Sequence, residues 1–99
     1  MGTEKSRNRV ASFFMWYVYV LVSRKNGKGY VGITQDILRR LAEHNSGKSK
    51  FTSGHIPWAL AYSEKCSSAG QARAREKFLK SASGRRWLDY KLSAGSLPD

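Results

Sequence analysis

The chain predicts a small α/β domain of the α+β kind, a three-stranded and mainly antiparallel sheet flanked by helices in the order ββαβαα. Two strand patterns rich in tyrosine and valine lie on either side of Asn26-Gly27. A helical pattern follows at once, then a third strand pattern and two more helical segments. Strands and helices in that order, with a tight hairpin first, build one layered domain. The 99 residues have room for a single core and no second one.

Residues 1–12 are polar and aperiodic and read as a flexible basic lead. The run W-Y-V-Y-V-L-V-S at 16–23 carries the β-branched and aromatic residues that fill a pleated, half-buried surface. Asn-Gly is the preferred pair of a type I′ turn, which needs positive φ at both central positions. Residues 29–33 then return as the partner strand. A register centred on that turn sets Ser23 opposite Tyr30 and Tyr19 opposite Thr34. Side chains alternate with period two, so Tyr17, Tyr19 and Tyr30 share one sheet face.

Thr34 is the expected N-cap of the first helix, with Asp36 in its first turn, where the helix dipole favours a carboxylate. Ile37, Leu38, Leu41 and Ala42 form its apolar stripe, and Gly47 stops it just beyond Asn45. Arg40 and His44 are one turn apart and project together. A basic loop at 48–55 and Pro57 lead into a third strand, expected to carry Trp58, Leu60 and Tyr62 on one face. Ser67 or Ser68 caps a second helix over 69–82, with Ala72, Phe78, Leu79 and Ala82 inward. Glu76 falls at the edge of that stripe, Arg73 and Lys80 just outside it. Ser83-Gly84 breaks the helix, and 85–92 reads as a third, shorter one. The folded domain is expected at 13–93, with a loose tail at 94–99.

Eighteen Lys and Arg against seven Asp and Glu leave a net charge of +11. A field of that sign captures polyanions, so nucleic acid is the leading partner. Cys66 is the only cysteine, which excludes a disulfide framework and fits a reducing, cytoplasmic compartment. The apolar run at 10–22 is too short to span a bilayer, so no membrane partner is expected. His44, His55 and Cys66 lack the spacing of a zinc site.

Tyr17-Val18-Tyr19 and Tyr30-Val31-Gly32, at this separation and followed by Arg40 and His44, resemble the paired motifs that name the GIY-YIG nucleases. The stretches E-H-N-S-G-K (43–48), P-W-A-L-A-Y (57–62) and R-E-K-F-L-K-S-A-S-G-R-R-W-L (75–88) are similar to small stand-alone bacterial members. The likeness covers residues 13–93. It implies the GIY-YIG nuclease fold and metal-dependent hydrolysis of phosphodiesters in DNA, double-stranded or branched, of the repair or recombination type. By the same resemblance Tyr19 and Tyr30 are the active-site tyrosines and Arg40 the catalytic arginine. His44 is the helix residue one turn on, and Glu76 the ligand of Mg²⁺ or Mn²⁺. Tyr17 stands where the first motif has glycine, and the family's frequent late asparagine has no clear counterpart.

The chemistry agrees with that assignment. Arg40 offers a permanent charge and a planar fork matched to phosphate oxygens. A phenol, with an ordinary pKa of about 10, relays a proton when a neighbouring cation or metal lowers it. The carboxylates of the folded body, Asp36, Glu43, Glu64, Glu76 and Asp89, are too scattered for a two-metal cluster. Mg²⁺ keeps most of its waters and takes one or two carboxylates, so a one-metal site on Glu76 is feasible. The plainer reading of Glu76 is an exposed i, i+4 pair with Lys80, and Arg39 reads as solvated charge. Lys48, Lys50, Arg85 and Arg86, interleaved with Phe51 and Trp87, suit backbone contact with nucleic acid without reading sequence. The reading is a monomeric, structure-selective endonuclease. The alternative is a catalytically silent binding module or accessory subunit of the same fold.

Overall fold

Aromatic and β-branched residues along Trp16–Ser23 make that stretch the central strand, β1. In the computed structural model, which describes residues 15–96, β1 lies between β2 (Gly29–Thr34) and β3 (Trp58–Cys66) in one antiparallel sheet ordered β2-β1-β3. Helix α1 (Ile37–Asn45) follows β2, and a 3₁₀ turn at Ser53–His55 precedes β3. Helices α2 (Ala69–Lys80) and α3 (Ala82–Ser96) complete the expected order ββαβαα. The expected basic lead at 1–12 and residues 97–99 of the expected tail lie outside the described residues.

Period-two alternation divides β1 between two cores. Val18 and Val20 pack with Cys66, Ala72, Leu79 and Leu88 under α2 and α3. Tyr19 and Leu21 pack with Trp58, and Ile37 and Leu41 of α1 close over them.

The hairpin turn is not type I′. Gly27 has a positive φ of 78°, but Asn26 does not. Residues 24–27 form a longer loop instead, in which Ser23 N donates to Lys28 O and Gly27 N to Ser23 O, both at 2.8 Å. The Ser23 hydroxyl accepts from the amides of Lys25 and Asn26 at 3.1 and 3.2 Å, holding that loop. The register consequently slides by two: Tyr30 faces Leu21, and Gly32 faces Tyr19. A two-residue slide preserves parity, so Tyr17, Tyr19 and Tyr30 still share the α1 face.

A bulge corrects the reading of β3. Val20 faces Tyr62 while Leu21 faces Leu60, leaving Ala61 as the extra residue. Trp58 therefore packs with Tyr19, whereas Tyr62 turns to the other face and meets Trp87 at 5.7 Å between ring centroids.

Helix ends differ from the expectation for local reasons. Asp36 rather than Thr34 caps α1, its carboxylate accepting Arg39 N at 3.1 Å. The inward stripe of α1 is Ile37, Leu41 and His44, while Leu38 is 78% exposed. Ser81 serves two helices: its amide and hydroxyl donate to Phe78 O, and its hydroxyl accepts Gly84 N at 3.2 Å. The break thus falls at Ser81, and α3 runs on to Ser96. Gly84 lies inside α3, where a Cβ would collide with the carbonyl oxygen of Phe78 and approach Leu79 Cα to 2.6 Å. Glycine there permits close helix approach rather than stopping a helix.

Candidate active site

Tyr19 reaches from the middle of β1 across its edge neighbour β2. A Cβ at Gly32 would lie 2.6 Å from the Tyr19 hydroxyl oxygen, so glycine leaves the room through which the ring passes. Tyr30, two residues before Gly32 and on the same face, stands beside it with ring centroids 6.2 Å apart. From α1, the i, i+4 spacing brings Arg40 and His44 to the same place. His44 is fully buried and edge-on to the Tyr30 ring at 4.8 Å. Its Nε2 is 3.0 Å from the Tyr19 hydroxyl, and its Nδ1 is 2.9 Å from Thr52 Oγ1.

The surroundings of this hydrogen-bond chain are tied down. Thr52 O accepts the indole Nε1–H of Trp58 at 2.9 Å. Asn45, at the end of α1, bonds both backbone groups of Trp58, accepting its N–H at 2.6 Å and donating to its carbonyl at 3.0 Å. The end of α1, the basic loop and the start of β3 are locked together behind the tyrosines.

Burial pushes the Tyr19 phenol up to about 12; Arg40 beside it opposes the rise, while Tyr30 and the charge of Glu76 add to it. Burial also holds the His44 imidazole below its ordinary range, the Arg40 charge adding to the effect and Glu43 opposing it. His44 is therefore neutral at pH 7. Arg40 is held by Glu43 at 2.8 Å, a hydrogen bond that drives the guanidinium up and the carboxyl down.

Glu76 comes from the other layer. It sits on α2 beside the Ala72 and Leu79 stripe, its carboxylate 3.0 Å from Lys80 Nζ, and its charge is felt at the Tyr19 phenol. Arg40 and Glu76 thus act on one phenol from opposite sides of the sheet. Among the described residues no three His, Cys, Asp or Glu side chains gather as a metal cluster. A single carboxylate suits a hard cation that keeps most of its waters, and it does not suit zinc.

Tyr19, Tyr30, Arg40 and His44 are brought together as a group. Lys48 and Lys50 are exposed on the loop that leads to Thr52, with Phe51 between them and the threonine 88% exposed. Arg39 is solvated, as expected. Arg85 and Arg86 are exposed on α3, across the sheet from the tyrosine cluster. Arg85, Lys80 and Asp89 border a groove of about 420 Å³ lined by Val20, Val31 and Leu88. Sequence reasoning missed Thr52, a hydroxyl in a polar loop with no periodic signal. It also passed over Glu43 as the partner of Arg40, although the i, i+3 spacing announces that pair.

The tyrosine strands and the arginine helix place this chain among nucleases: residues 15–90 match the GIY-YIG catalytic domain, and the chain belongs to that family. Within it, the chain is similar to proteins called UPF0213. It is 45% identical over 65 residues to one from Streptococcus pneumoniae, covering 65% of each chain. It is 45% identical over 71 residues to one from Pseudomonas aeruginosa, covering 71% of this chain and 67% of that one. The solution NMR structure of a UPF0213 protein from Bacillus halodurans is 34% identical, with a TM-score of 0.47 over 77% of this chain and 83% of that one. The matched stretch spans just under two thirds of the length of the Streptococcus relative.

Proposed function

We propose that this chain is a divalent-metal-dependent endonuclease that hydrolyses phosphodiester bonds in DNA and selects its substrate by shape. The observation that carries the reading is the convergence on one phenol. Arg40, His44 and Tyr30 surround Tyr19, and the charge of Glu76 reaches it from the opposite layer. Binding alone needs no carboxylate beside a polyanion.

In this reading the guanidinium of Arg40, charged at any working pH, takes the phosphoryl oxygens in its planar fork. Glu43 holds that fork beside Tyr19. Tyr30 is half-buried and forms the wall that exchanges a proton with an attacking water, while Tyr19, 1% exposed, is the floor from which a hydrogen-bond chain runs to His44. Glu76 is the residue that would hold Mg²⁺ or Mn²⁺. Such an ion supplies charge relief and a more acidic bound water. Lys48 and Lys50 contact phosphates on the tyrosine side, and Arg85 and Arg86 extend the basic surface on the other layer. These contacts position a backbone and read no bases, so discrimination comes from flexible phosphates and unstacked bases at branched, nicked or frayed sites. The protein acts as a cytoplasmic monomer in this reading. Its Cys66 is free and buried, and no helix among the described residues is long and apolar enough to cross a membrane.

The test is a cleavage assay on branched, flap, nicked and single-stranded DNA with Mg²⁺ or Mn²⁺. Cuts that follow the discontinuity across scrambled sequences support the proposal, and no cut on any substrate with either metal overturns it. The binding module would then be the better reading. One observation favours it: Arg40 is already paired with Glu43 at 2.8 Å and Glu76 with Lys80 at 3.0 Å.

A further inference from the structure

The tautomer of His44 is decided by a residue of the basic loop. His44 Nδ1, at 2.9 Å, is the only hydrogen-bond partner of Thr52 Oγ1 among the described residues. Thr52 is 1% exposed and His44 0% exposed, so water does not offer a substitute. A hydroxyl has one proton to donate, and leaving it without an acceptor at that depth costs about 1–3 kcal/mol. The Thr52 proton therefore points to the Nδ1 lone pair. A neutral imidazole carries a single N–H, and with Nδ1 accepting, that hydrogen is on Nε2, 3.0 Å from the Tyr19 oxygen.

We propose that Thr52 is a positioning residue that fixes His44 as an N–H donor to the Tyr19 oxygen, a role that rests on the nuclease reading above. Its consequence is specific. His44 is not the base that removes the Tyr19 proton; it holds the phenol oxygen from behind while Arg40 flanks it. The proton of Tyr19 is left free to turn away from His44. The same loop that presents Lys48 and Lys50 to phosphate ends in Thr52, so DNA contact and the orientation of Tyr19 share one segment. Trp58 bonds the Thr52 carbonyl rather than its side chain, so substitution of the hydroxyl spares that anchor.

The test reads the tautomer directly, by ¹⁵N NMR of the His44 ring in the DNA-free protein at neutral pH. Wild type and Thr52→Ser are expected to show a protonated Nε2 and a bare Nδ1, and Thr52→Val a mixture of both tautomers. Cleavage by Thr52→Val is expected to fall by about tenfold or more and to return in Thr52→Ser, at matched folded fractions measured by thermal unfolding. A wild type protonated on Nδ1 overturns the proposal, and so does a folded Thr52→Val with the wild-type tautomer and rate. A protein with the Nε2–H tautomer that cuts no DNA overturns the nuclease reading and leaves the Thr52–His44 assignment supported.

Discussion

The two faces of the sheet are built by opposite rules. Under α2 and α3, Val18, Val20, Ala72, Leu79 and Leu88 exclude water with apolar side chains, and Gly84 lets the two helices close on each other. Under α1, Tyr19, His44, Thr52 and Ser23 are just as deeply buried, yet each carries a polar group that is hydrogen bonded. Burying a polar group is offset only by such a bond, so this face yields less stability for the same depth. It yields direction instead. Area holds the fold on one side, and hydrogen-bond geometry holds the chemistry on the other.

That division predicts different outcomes for the two faces. Leu79→Ala should destabilise the fold by about 2–5 kcal/mol in urea unfolding, with cleavage per folded molecule unchanged. A loss of cleavage beyond the unfolded fraction would break the division. On the polar face, Arg40→Ala and Glu76→Ala should lower cleavage by about 100-fold or more while shifting stability by less than about 1 kcal/mol. Full cleavage by Glu76→Ala would move the metal site to another carboxylate. Gly32→Ala belongs between these cases: its Cβ displaces the Tyr19 ring, so cleavage should fall about tenfold at a cost of about 1–3 kcal/mol.

A pH titration sharpens the contrast. His44 is held below its ordinary value of 6.5 in the fold, so the unfolded chain takes up that proton first. The stability from neutral His44 is complete above 6.5 and is lost as pH falls below it toward the folded value. Thermal unfolding followed from pH 8 to 5 should show a decline that His44→Gln lacks; equal slopes in both proteins would sink the idea. Glu43 and Glu64, also shifted down, contribute only below their ordinary 4.5. The smallest effect on stability belongs to Lys48→Ala with Lys50→Ala, within about 0.5 kcal/mol. Those changes should weaken DNA binding and reduce its salt slope by about 2, seen in titrations at several salt concentrations.

Tyr19 and Thr52 show how far local reading reaches. Tyr19 was legible because a strand pattern with period two exposes which residues share a face, and that parity survived an error of two in the register. Thr52 was not legible, since a hydroxyl in a polar loop gains its role from a histidine on a different element. Tyr62 failed for a related reason: a bulge at Ala61 reverses the alternation, and nothing in P-W-A-L-A-Y marks the extra residue. The helix break was placed two residues late because glycine was read as a stop, when its lack of a side chain serves packing.

The sequence by itself determined the element order, the shared face of Tyr17, Tyr19 and Tyr30, and the pairing of Arg40 with His44 on one side of a helix. These follow from backbone periods of 2 and 3.6, which are written into residue spacing. Only the tertiary structure decided that Gly32 makes way for the Tyr19 ring and that Thr52 holds His44. It alone brought the charge of Glu76 to Tyr19 from the opposite layer. Those relations depend on which backbone bonds a loop adopts and on how separate elements pack, and neither leaves a period in the chain.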